Sequence, residues 1–376
     1  MQIEILNSIF DLDDTDRHLF SNSDNPFTRI SFLETLEKTR CCSVETGWRA
    51  FHVLFKNDHQ QSIGFMPCYI KQHSWGEFVF DWSWAQAYKE QGLNYYPKLL
   101  TAIPFTPVPG PRILATESSD IELILDYWLT QLPGYADQFG FSSWHLLFPE
   151  TEKLIAPSPL LDRIDCQYHW FNHNYQSFDD ILQRFSSRKR KNIKKERQSL
   201  EQKGVRAVRY SGSEITLPMI AVFFKFYCNT YFLRGHQPHL NQEFFTSLLS
   251  SMPDNIMLVL AYQEDKPIAG SWFFFDSEAL YGRYWGCDQE ISALHFECCY
   301  YQGMEFCIEQ KLKTFNPGTQ GEHKISRGFE PVTTTSYHWI KHQGFNQAIE
   351  NYLRHERPEV RSYMKQARTH LPFKKD

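Results

Sequence analysis

The sequence lacks the features that mark several whole classes of protein. Its apolar runs, such as IMLVLAY from Ile256, have the length of a strand and are far shorter than a bilayer span. Residues 1 to 16 lack the basic start, apolar stretch and small-residue cleavage site of a secretion signal. A formal net charge of only -5 gives no global field that would draw the whole chain onto nucleic acid or membrane. We therefore expect a cytoplasmic protein without a transmembrane segment, in which a charged partner meets a local patch.

The number and spacing of the cysteines, and the spacing of the acidic residues, argue against disulfide bonds and metal sites. The nine cysteines are an odd number and include the adjacent pair Cys298-Cys299, unlike a disulfide framework. The cluster that joins Cys287, His295 and this pair lacks the spacing of paired zinc ligands. The acidic stretch DLDDTD at 11 to 16 lacks the later Gly and Glu of a calcium loop, and no Gly-x-Ser-x-Gly nucleophile pattern is present. We expect a reducing environment, no metal and no tightly bound cofactor.

Composition and length instead indicate a folded chain of two domains. Hydrophobic residues make up 42% of the 376 positions and aromatic residues 16%, enough for aromatic-rich cores in a chain too long for one. In the first half, period-two patterns predict strands, and helical spacing predicts helices. The predicted strands are RAFHVLF, IGFMPCYI, GEFVFDWSW and WHLLFPE, and the predicted helices are YYPKLLTAI and DIELILDYWLTQL. The class is therefore mixed α/β.

The pattern restarts near Asp165. The segment from Ser177 to Gly204 is predicted as one long helix, with a box-like start at Ser177 and Asp180. Further predicted helices are PMIAVFFKFYCNTYF, NQEFFTSLLSSM and residues 294 to 313, and predicted strands are NIMLVLAYQ, PIAGSWFFFD and ALYGRYWGC. Pairs of short landmarks recur at a nearly constant offset, such as Tyr95-Tyr96 with Tyr300-Tyr301. This recurrence indicates a duplicated α/β unit, with domains at 1-165 and 166-376.

Two segments of the second half carry a family resemblance. They are SSRKRKNIKKERQ near its start and YYQGMEFCIEQKLKTFNPGTQGEHKISRGFEP near its end. With the apparent duplication, they resemble the FemAB-like proteins of the GNAT superfamily, in the branch labelled peptidoglycan biosynthesis or recognition. The resemblance implies two tandem GNAT-like domains, each a mixed, mostly antiparallel sheet flanked by helices. It also implies transfer of an acyl or aminoacyl group to a substrate amine, from an acyl-CoA or an aminoacyl-tRNA. The junction YWGCDQEISALHFE lacks the glycine-rich turn that holds the pyrophosphate of coenzyme A in GNAT enzymes, which argues against acetyl-CoA.

The predicted long helix carries a dense run of positive charge. Eight cations between Arg184 and Arg197 surround a single acid, Glu196. A solvated helix face usually mixes its signs, so this stripe suits a nucleic-acid backbone or a nucleotide phosphate. The predicted phosphate-binding residues are Arg188, Arg190, Lys191, Lys194 and Lys195.

The stretch FNPGTQGEHKISRGF at 315 to 329 crowds polar groups beside three glycines. Glu322 or His323 could accept the proton of an attacking amine, and Gln320 or backbone amides could meet an oxyanion. Lys324 and Arg327 could hold a carboxylate or a phosphate. The structural alternative is an ordinary polar loop.

The neighbouring segments add weaker candidates. Glu305 lies four residues from Tyr301 on a partly apolar helix face, where desolvation could tune a general base, whereas Glu297 is more simply a helix-edge acid that reaches water or Lys311. Period two places Tyr281, Arg283 and Trp285 on one strand face. Such a row could form the floor of a pocket, although core packing is the commoner role of aromatics. The segment FDWSW at 80 to 84 has the same two interpretations, as an acceptor pocket or as core.

Three functions stay open on these residues. The first is an acyl- or aminoacyltransferase whose chemistry lies in the loop at 317 to 328, acting on a small-molecule or peptide amine. The second is a non-catalytic module that binds RNA or a cell-wall precursor. The third is an acyl-CoA enzyme with an unusual phosphate turn.

Overall fold

The structure is a computed structural model that describes residues 1-21, 23-150, 159-319 and 321-374. The chain forms two compact units. The first unit comprises Met1–Cys166 and Thr333–Ser362, and the second comprises Gln167–Val332 and Tyr363–Asp376. The predicted division between 165 and 166 lies beside the first crossing of the chain from one unit to the other. Residues 333 to 362, which that division assigned to the second domain, lie in the first unit.

The elements follow in chain order. Up to the first crossing they are β1 (Gln2–Leu6), α1 (Ile30–Lys38), β2 (Trp48–Ala50), β3 (His52–Lys56), β4 (Ser62–Met66), β5 (Cys68–Lys71), α2 (Trp82–Glu90), β6 (Lys98–Thr101), β7 (Leu114–Ala115), α3 (Asp120–Phe139), β8 (Ser143–Leu147) and β9 (Leu161–Phe171). After it they are α4 (Phe178–Arg184), α5 (Ser187–Gln202), β10 (Val205–Ser211), α6 (Leu217–Phe232), α7 (Gln242–Ser251), β11 (Ile256–Gln263), β12 (Lys266–Phe275), β13 (Ala279–Cys287), α8 (Leu294–Phe296), α9 (Gln302–Glu309), β14 (Thr314–Asn316), β15 (Glu330–Ile340) and α10 (Gln343–Thr369). A π-helical turn, Glu297–Tyr301, joins α8 to α9.

The first unit contains two groups of paired strands. Strands β1, β3, β4 and β7 form an antiparallel sheet in that order. In the second group β2, β5 and β6 are antiparallel neighbours, β6 runs parallel to β8, and the end of β15 pairs antiparallel with β8. Helix α3 contributes Trp128 and Leu132 to a core that also contains Phe55 and Trp144. An apolar stripe on α3 therefore holds the strands of this unit together.

A buried charged cluster lies beside β6 in the first unit. The Lys98 side chain has no exposed surface, and its ammonium group donates to Glu77 at 2.6 Å and also to Asp81. It donates as well to the Ser74 hydroxyl at 2.8 Å, while Tyr95 donates to Asp81 at 2.6 Å. Burial by itself would lower the pKa of Lys98, but the two carboxylates raise it above its ordinary value. The lysine is therefore charged, and the cluster fixes the turn before α2.

The second unit is a mixed sheet covered on both faces. Strands β10 to β13 are antiparallel neighbours, β13 runs parallel to β14 over its first three residues, and β14 pairs antiparallel with the end of β9. Helix α6 approaches β13 so closely that a Cβ atom on Gly286 would lie 1.8 Å from the Phe226 carbonyl oxygen. On the opposite face, the Ser271 hydroxyl of β12 donates to the Cys298 carbonyl at 2.8 Å. Gly286 on β13 thus lets α6 pack closely on one face of the sheet, and the π-helical turn packs on the opposite face.

The predicted fold class is confirmed: both units are mixed α/β, with mostly antiparallel strands and flanking helices. The predicted strands β11 to β13 and helices α3, α6 and α7 form as expected. Among the described residues, no helix has both the length and the apolar character that crossing a bilayer requires.

Four local predictions are wrong. The predicted long helix breaks after Arg184, because Phe185 turns into the core and packs against Phe373. The segment YYPKLLTAI contains strand β6 rather than a helix, since its four strand residues are buried between β5 and β8. The segment GEFVFDWSW turns into α2 instead of forming a strand. The Tyr-Tyr landmarks consequently do not match, because Tyr95-Tyr96 precedes a strand whereas Tyr300-Tyr301 ends a π-helical turn.

Candidate active site

The pairing of β13 with β14 ends well before the end of β13, where a cavity lies. Strand β14 pairs with β13 only from Ala279 to Tyr281, after which β13 continues to Cys287 while the chain turns away at Pro317. A cavity of about 370 Å³ lies at the end of β13. Its lining residues come from β13, from the connection after it and from the start of α8: Trp285, Cys287, Gln289, Glu290, Ile291, Ser292, Leu294 and His295. Strand ends that diverge in this way are common places for ligand pockets.

Strand β13 does not present the predicted row of side chains. Tyr281 pairs with Phe274, but Trp285 pairs with Ser271, three positions away on β12. A β-bulge between these pairs makes Arg283 the extra residue. Paired residues share a face, so Tyr281 and Trp285 lie on opposite faces of the sheet. Of the two aromatic residues, it is Trp285 that lines the cavity.

The glycine-rich loop folds back on itself. Gly318, Gly321 and Gly328 have φ of +95°, +119° and +87°, a backbone region that other residues rarely adopt. Between the last two glycines, Glu322–Arg327 forms a 3-10 helix. This path turns Lys324 and Arg327 inward, although the sequence suggests a loop with little to bury.

Lys324 is a buried lysine without an acidic partner. Only 2% of the residue is exposed, and its ammonium nitrogen lies 2.7 Å from the Gly318 carbonyl oxygen. In the described parts of the chain, no carboxylate lies within ion-pair distance of it. Burial, reinforced by the charge of Arg283, lowers the pKa of Lys324 to about 7. Near neutral pH a large fraction of this amine is therefore uncharged and able to accept a proton.

Two neighbouring histidines, one in the loop and one in the cavity lining, link these two parts of the second unit. A ring nitrogen of His323, Nε2, lies 2.7 Å from the Tyr300 hydroxyl. The ring centroids of His323 and His295 are 5.8 Å apart, and His295 lines the cavity. Burial, with the nearby His323 and cations, lowers the pKa of His295 to about 3, and burial with Lys324 lowers that of His323. Both rings are thus kept neutral and can act as hydrogen-bond partners near neutral pH.

In the sequence, His295 stands out only within a cysteine cluster whose spacing argues against a zinc site. His295 lies at the start of the helix that follows β13, and this position in the sequence could have indicated that it lies near the loop. Among the described residues, no group of three or more His, Cys, Asp and Glu side chains is placed to hold a metal ion.

Arg327 connects the glycine-rich loop to helix α5. Its guanidinium donates to the Tyr301 hydroxyl at 3.0 Å, to Glu196 at 2.7 Å and to the His323 carbonyl at 3.0 Å. The same group lies 3.2 Å from the centroid of the Phe296 ring. These contacts occupy the residue that the sequence nominated to bind a substrate carboxylate or phosphate. In the structure Arg327 positions the backbone beside His323 and Lys324, and Tyr301 supports it.

The candidate base Glu305 is bound by an ion pair. Arg197 of α5 donates to Glu305 at 2.6 Å and to Glu297 at 2.9 Å. Glu297 is buried and pairs with Arg197, whereas the sequence suggested an acid at the helix edge that reaches water or Lys311. Helix α5 packs on the π-helical turn and α9 through Glu196 and Arg197.

The remaining loop candidates lie apart from the cavity lining. Glu322 is exposed, and its carboxylate accepts a hydrogen bond from Tyr363 at 2.9 Å. Tyr363 in turn lies 2.6 Å from the Tyr168 hydroxyl. Gln320 lies outside the described residues.

The predicted phosphate-binding residues form a cationic surface on α5. Arg188, Lys191, Lys194 and Lys195 are exposed, and Arg190 is half-buried. In the described residues, Lys194 is the member of this set with a carboxylate within 4 Å, Asp179 at 3.5 Å. Helix α5 thus packs on the π-helical turn and α9 through Glu196 and Arg197, while the exposed cations of the set stay accessible.

Known structures resemble this chain at low sequence identity. FemX is 11% identical, with a TM-score of 0.54, over 93% of this chain and 100% of its own. A conserved protein of unknown function from Bacteroides thetaiotaomicron is 12% identical, with a TM-score of 0.51, over 90% and 99%. L-PGS from Bacillus licheniformis is 10% identical, with a TM-score of 0.51, over 86% and 95%. At these identities the likeness extends to the fold.

No curated protein matches the sequence. The family model described as peptidoglycan biosynthesis/recognition matches residues 8 to 375, which is nearly the whole chain. The chain therefore belongs to the FemAB-like family.

Proposed function

We propose that this protein is an aminoacyl- or acyltransferase that moves an acyl group from an activated donor to the amine of a peptidoglycan precursor. The observation that carries the proposal is Lys324, a buried amine with a pKa of about 7 that follows His323, whose ring lies 5.8 Å from that of the cavity-lining His295. A structural lysine is normally paired with an acid, and a lysine held near its neutral form is suited to proton transfer. Membership of the FemAB-like family supplies the peptidoglycan context.

The chemistry needs one proton acceptor and one site for developing negative charge. The substrate amine attacks the acyl carbon of an ester or thioester, so a C–N bond forms as the C–O or C–S bond to the carrier breaks. Lys324 accepts the proton that the amine loses, and the carrier leaves as an alcohol or thiol after protonation. His323, held by Tyr300, and the backbone amides of the glycine-rich loop are the groups nearest to the developing oxyanion. Arg327 acts as a positioning residue.

Two observations favour aminoacyl-tRNA over acyl-CoA as the donor. The cationic surface on α5 suits a polynucleotide backbone. The helix start at the cavity, where GNAT enzymes hold a pyrophosphate, is preceded here by Asp288 and Glu290, whose charges oppose an anion.

The test is a transfer assay with the full-length protein. Purified protein is incubated with an amine-bearing peptidoglycan precursor and either mixed aminoacyl-tRNA or acetyl-CoA, and products are identified by mass spectrometry. We expect a product heavier by one amino-acid residue with aminoacyl-tRNA. An acetylated product would identify acyl-CoA as the donor. Salt-dependent binding of tRNA without any product from either donor would favour the binding-module alternative.

A further inference from the structure

The first unit also contains a parallel strand pair, but there a third segment of the chain lies beside it. Here β6 and β8 run parallel, as β13 and β14 do in the second unit. The chain that leaves β6 returns as a third segment, in which the Gly110 amide donates to the Phe148 carbonyl at 3.1 Å and the Glu150 amide donates to the Gly110 carbonyl at 3.1 Å. This segment, Gly110 to Leu114, runs beside the continuation of β8. A cavity of about 310 Å³ lies against it, which we name the Arg112 cavity.

Arg112 is the one strongly buried charged side chain among the described residues that line this cavity, with 3% of the residue exposed. Its guanidinium donates to three backbone carbonyls, those of Leu147 at 2.8 Å, Val108 at 2.6 Å and Pro111 at 3.2 Å. A guanidinium has five N–H donors, so two of them are not used in these bonds. Within the described parts of the chain, no carboxylate forms an ion pair with Arg112.

This arrangement leaves a positive charge inside the first unit. Burial lowers the pKa of Arg112 to about 9 even though Glu150 acts in the opposite direction, so the group is still charged at neutral pH. The three carbonyl dipoles and the charge of Glu150 compensate the buried cation only in part, and an incompletely compensated buried charge is costly. A negatively charged ligand in the cavity would supply the missing counter-charge.

The rest of the lining restricts the ligand. Apolar walls come from Ile113, Leu146 and Ile121, and two acids, Glu117 and Glu150, also line the cavity. These acids would repel a phosphate dianion more strongly than a singly charged group. A molecule that carries one carboxylate and an amine of its own fits this lining, because the carboxylate has a single negative charge and the two acids attract the amine. The volume matches an amino acid or a very short peptide.

We propose that the Arg112 cavity is a binding site for a small molecule with a free carboxylate of the amino-acid or short-peptide class. The carboxylate accepts hydrogen bonds from the two guanidinium N–H groups that Arg112 does not donate to its own backbone. The site belongs to the first unit and is independent of the transfer chemistry proposed for the second.

The experiment compares a carboxylate with its uncharged counterpart. The dipeptide Ala-Ala, its C-terminal amide and inorganic phosphate are each titrated into the full-length protein, and binding is measured by calorimetry. We expect Ala-Ala to bind at least about tenfold more tightly than its amide, a difference of about 1.4 kcal/mol, and phosphate to bind more weakly than Ala-Ala. Equal binding of Ala-Ala and the amide, or no binding of Ala-Ala, would overturn the proposal. Phosphate binding tighter than Ala-Ala would do the same.

A matched pair of variants locates the site without disturbing Arg112. Ser118 and Ser119 are adjacent, exposed residues before α3, but only Ser118 lines the cavity. Ser118→Trp should obstruct the cavity and weaken Ala-Ala binding by at least about tenfold, whereas Ser119→Trp should change it by less than about twofold. Equal effects of the two substitutions would place the dipeptide elsewhere. Each variant is first checked for an unchanged thermal unfolding temperature.

Discussion

Lys98 of the first unit and Lys324 of the second are both buried lysines, and their surroundings differ completely. Lys98 has two carboxylates and a hydroxyl within hydrogen-bond distance, and its pKa is raised. Lys324 donates to a single carbonyl oxygen, and its pKa falls to about 7. The first lysine is held charged by its neighbours and the second is kept close to neutral. Burial alone therefore does not set the charge of a lysine, because the acidic partners of Lys98 raise its pKa and Lys324 has none.

The same contrast applies to the two parallel strand pairs. In the first unit the segment from Gly110 to Leu114 runs beside the end of β8. Its residue Arg112 is buried and donates a hydrogen bond to the Leu147 carbonyl of β8. In the second unit β13 bulges at Arg283, and the cavity beyond it is lined by Trp285 and His295. A shared strand arrangement thus supports different chemistry, because the connecting segments supply the side chains.

The largest expected effect is on turnover when Lys324 is replaced. Lys324→Met should lower the transfer rate by about 10² to 10⁴, the usual contribution of a general base. The folded protein should be no less stable, because the substitution removes a buried cation without an acidic partner. Initial rates and urea unfolding of the same preparations test both parts. Lys313→Met, at an exposed lysine of the same unit, is the control and should leave the rate unchanged. A folded Lys324→Met variant with normal turnover would remove the lysine from the mechanism.

Lys98→Met should act on folding instead. Glu77 and Asp81 would be left buried without their cation, which typically costs about 3 to 5 kcal/mol of unfolding free energy. Urea denaturation followed by circular dichroism measures the loss. Lys341→Met is the matched control in the same unit, since its partner Asp137 is largely exposed, and should cost less than about 1 kcal/mol. If the two substitutions destabilised the protein equally, the buried ion pairs of Lys98 would contribute no more stability than a surface pair.

The pH dependence of the rate should follow the neutral form of Lys324. Its folded pKa of about 7 lies below the ordinary 10.5, so the uncharged fraction grows as pH rises and levels off above about 7. Below that value the rate should fall about tenfold per pH unit. The unfolded chain binds more protons at this residue between pH 7 and 10.5, so its contribution to stability rises with pH across that window.

Rates of the wild-type protein from about pH 5.5 to 8.5 test this expectation, with tRNA binding measured at each pH. A rate that stays constant while binding stays constant would contradict it. Lys324→Arg keeps the positive charge at every pH in this range and should therefore be slow throughout.

The smallest effect is expected at the cationic surface. Lys191→Glu with Lys195→Glu should weaken tRNA binding and reduce the slope of log affinity against log salt by about two. Binding at several salt concentrations, measured by filter retention, provides the slope. Lys203→Glu, at an exposed position just beyond α5, is the control. An unchanged slope in the double variant would show that the surface does not contact the nucleic acid.

Much of the fold could be predicted because local pattern and final position agree. Helix α3 has an apolar stripe and β11 to β13 are strand-length runs of apolar and aromatic residues, so each was predicted from its own residues. The failures lie where a distant partner decides. The residues of β6 can form a helix alone, but burial between two strands makes them extended. Phe185 interrupts a good helix former because its ring packs on Phe373, which lies far away at the other end of the second unit's sequence.

The candidate site was predicted as a segment but not as a set of contacts. The glycines and polar residues of the loop identified it, and all three glycines do adopt positive φ. The sequence could not reveal that Arg197 would bind Glu305, or that Glu196 would bind Arg327, because both contacts join helix α5 to distant residues. Lys324 was predicted to bind an anion, whereas its burial without an acid leads us to propose that it accepts a proton.

The route of the chain has a practical consequence. Strand β15 lies far from β8 in sequence, yet its residues Ser336 to Ile340 supply the antiparallel neighbour of that strand. A fragment that stops at residue 166 would expose the unpaired amides and carbonyls of β8 along a hydrophobic edge, an arrangement prone to self-association. Attempts to isolate the amino-terminal half by truncation should therefore give aggregates, and fusing residues 333 to 362 to it should restore a soluble species.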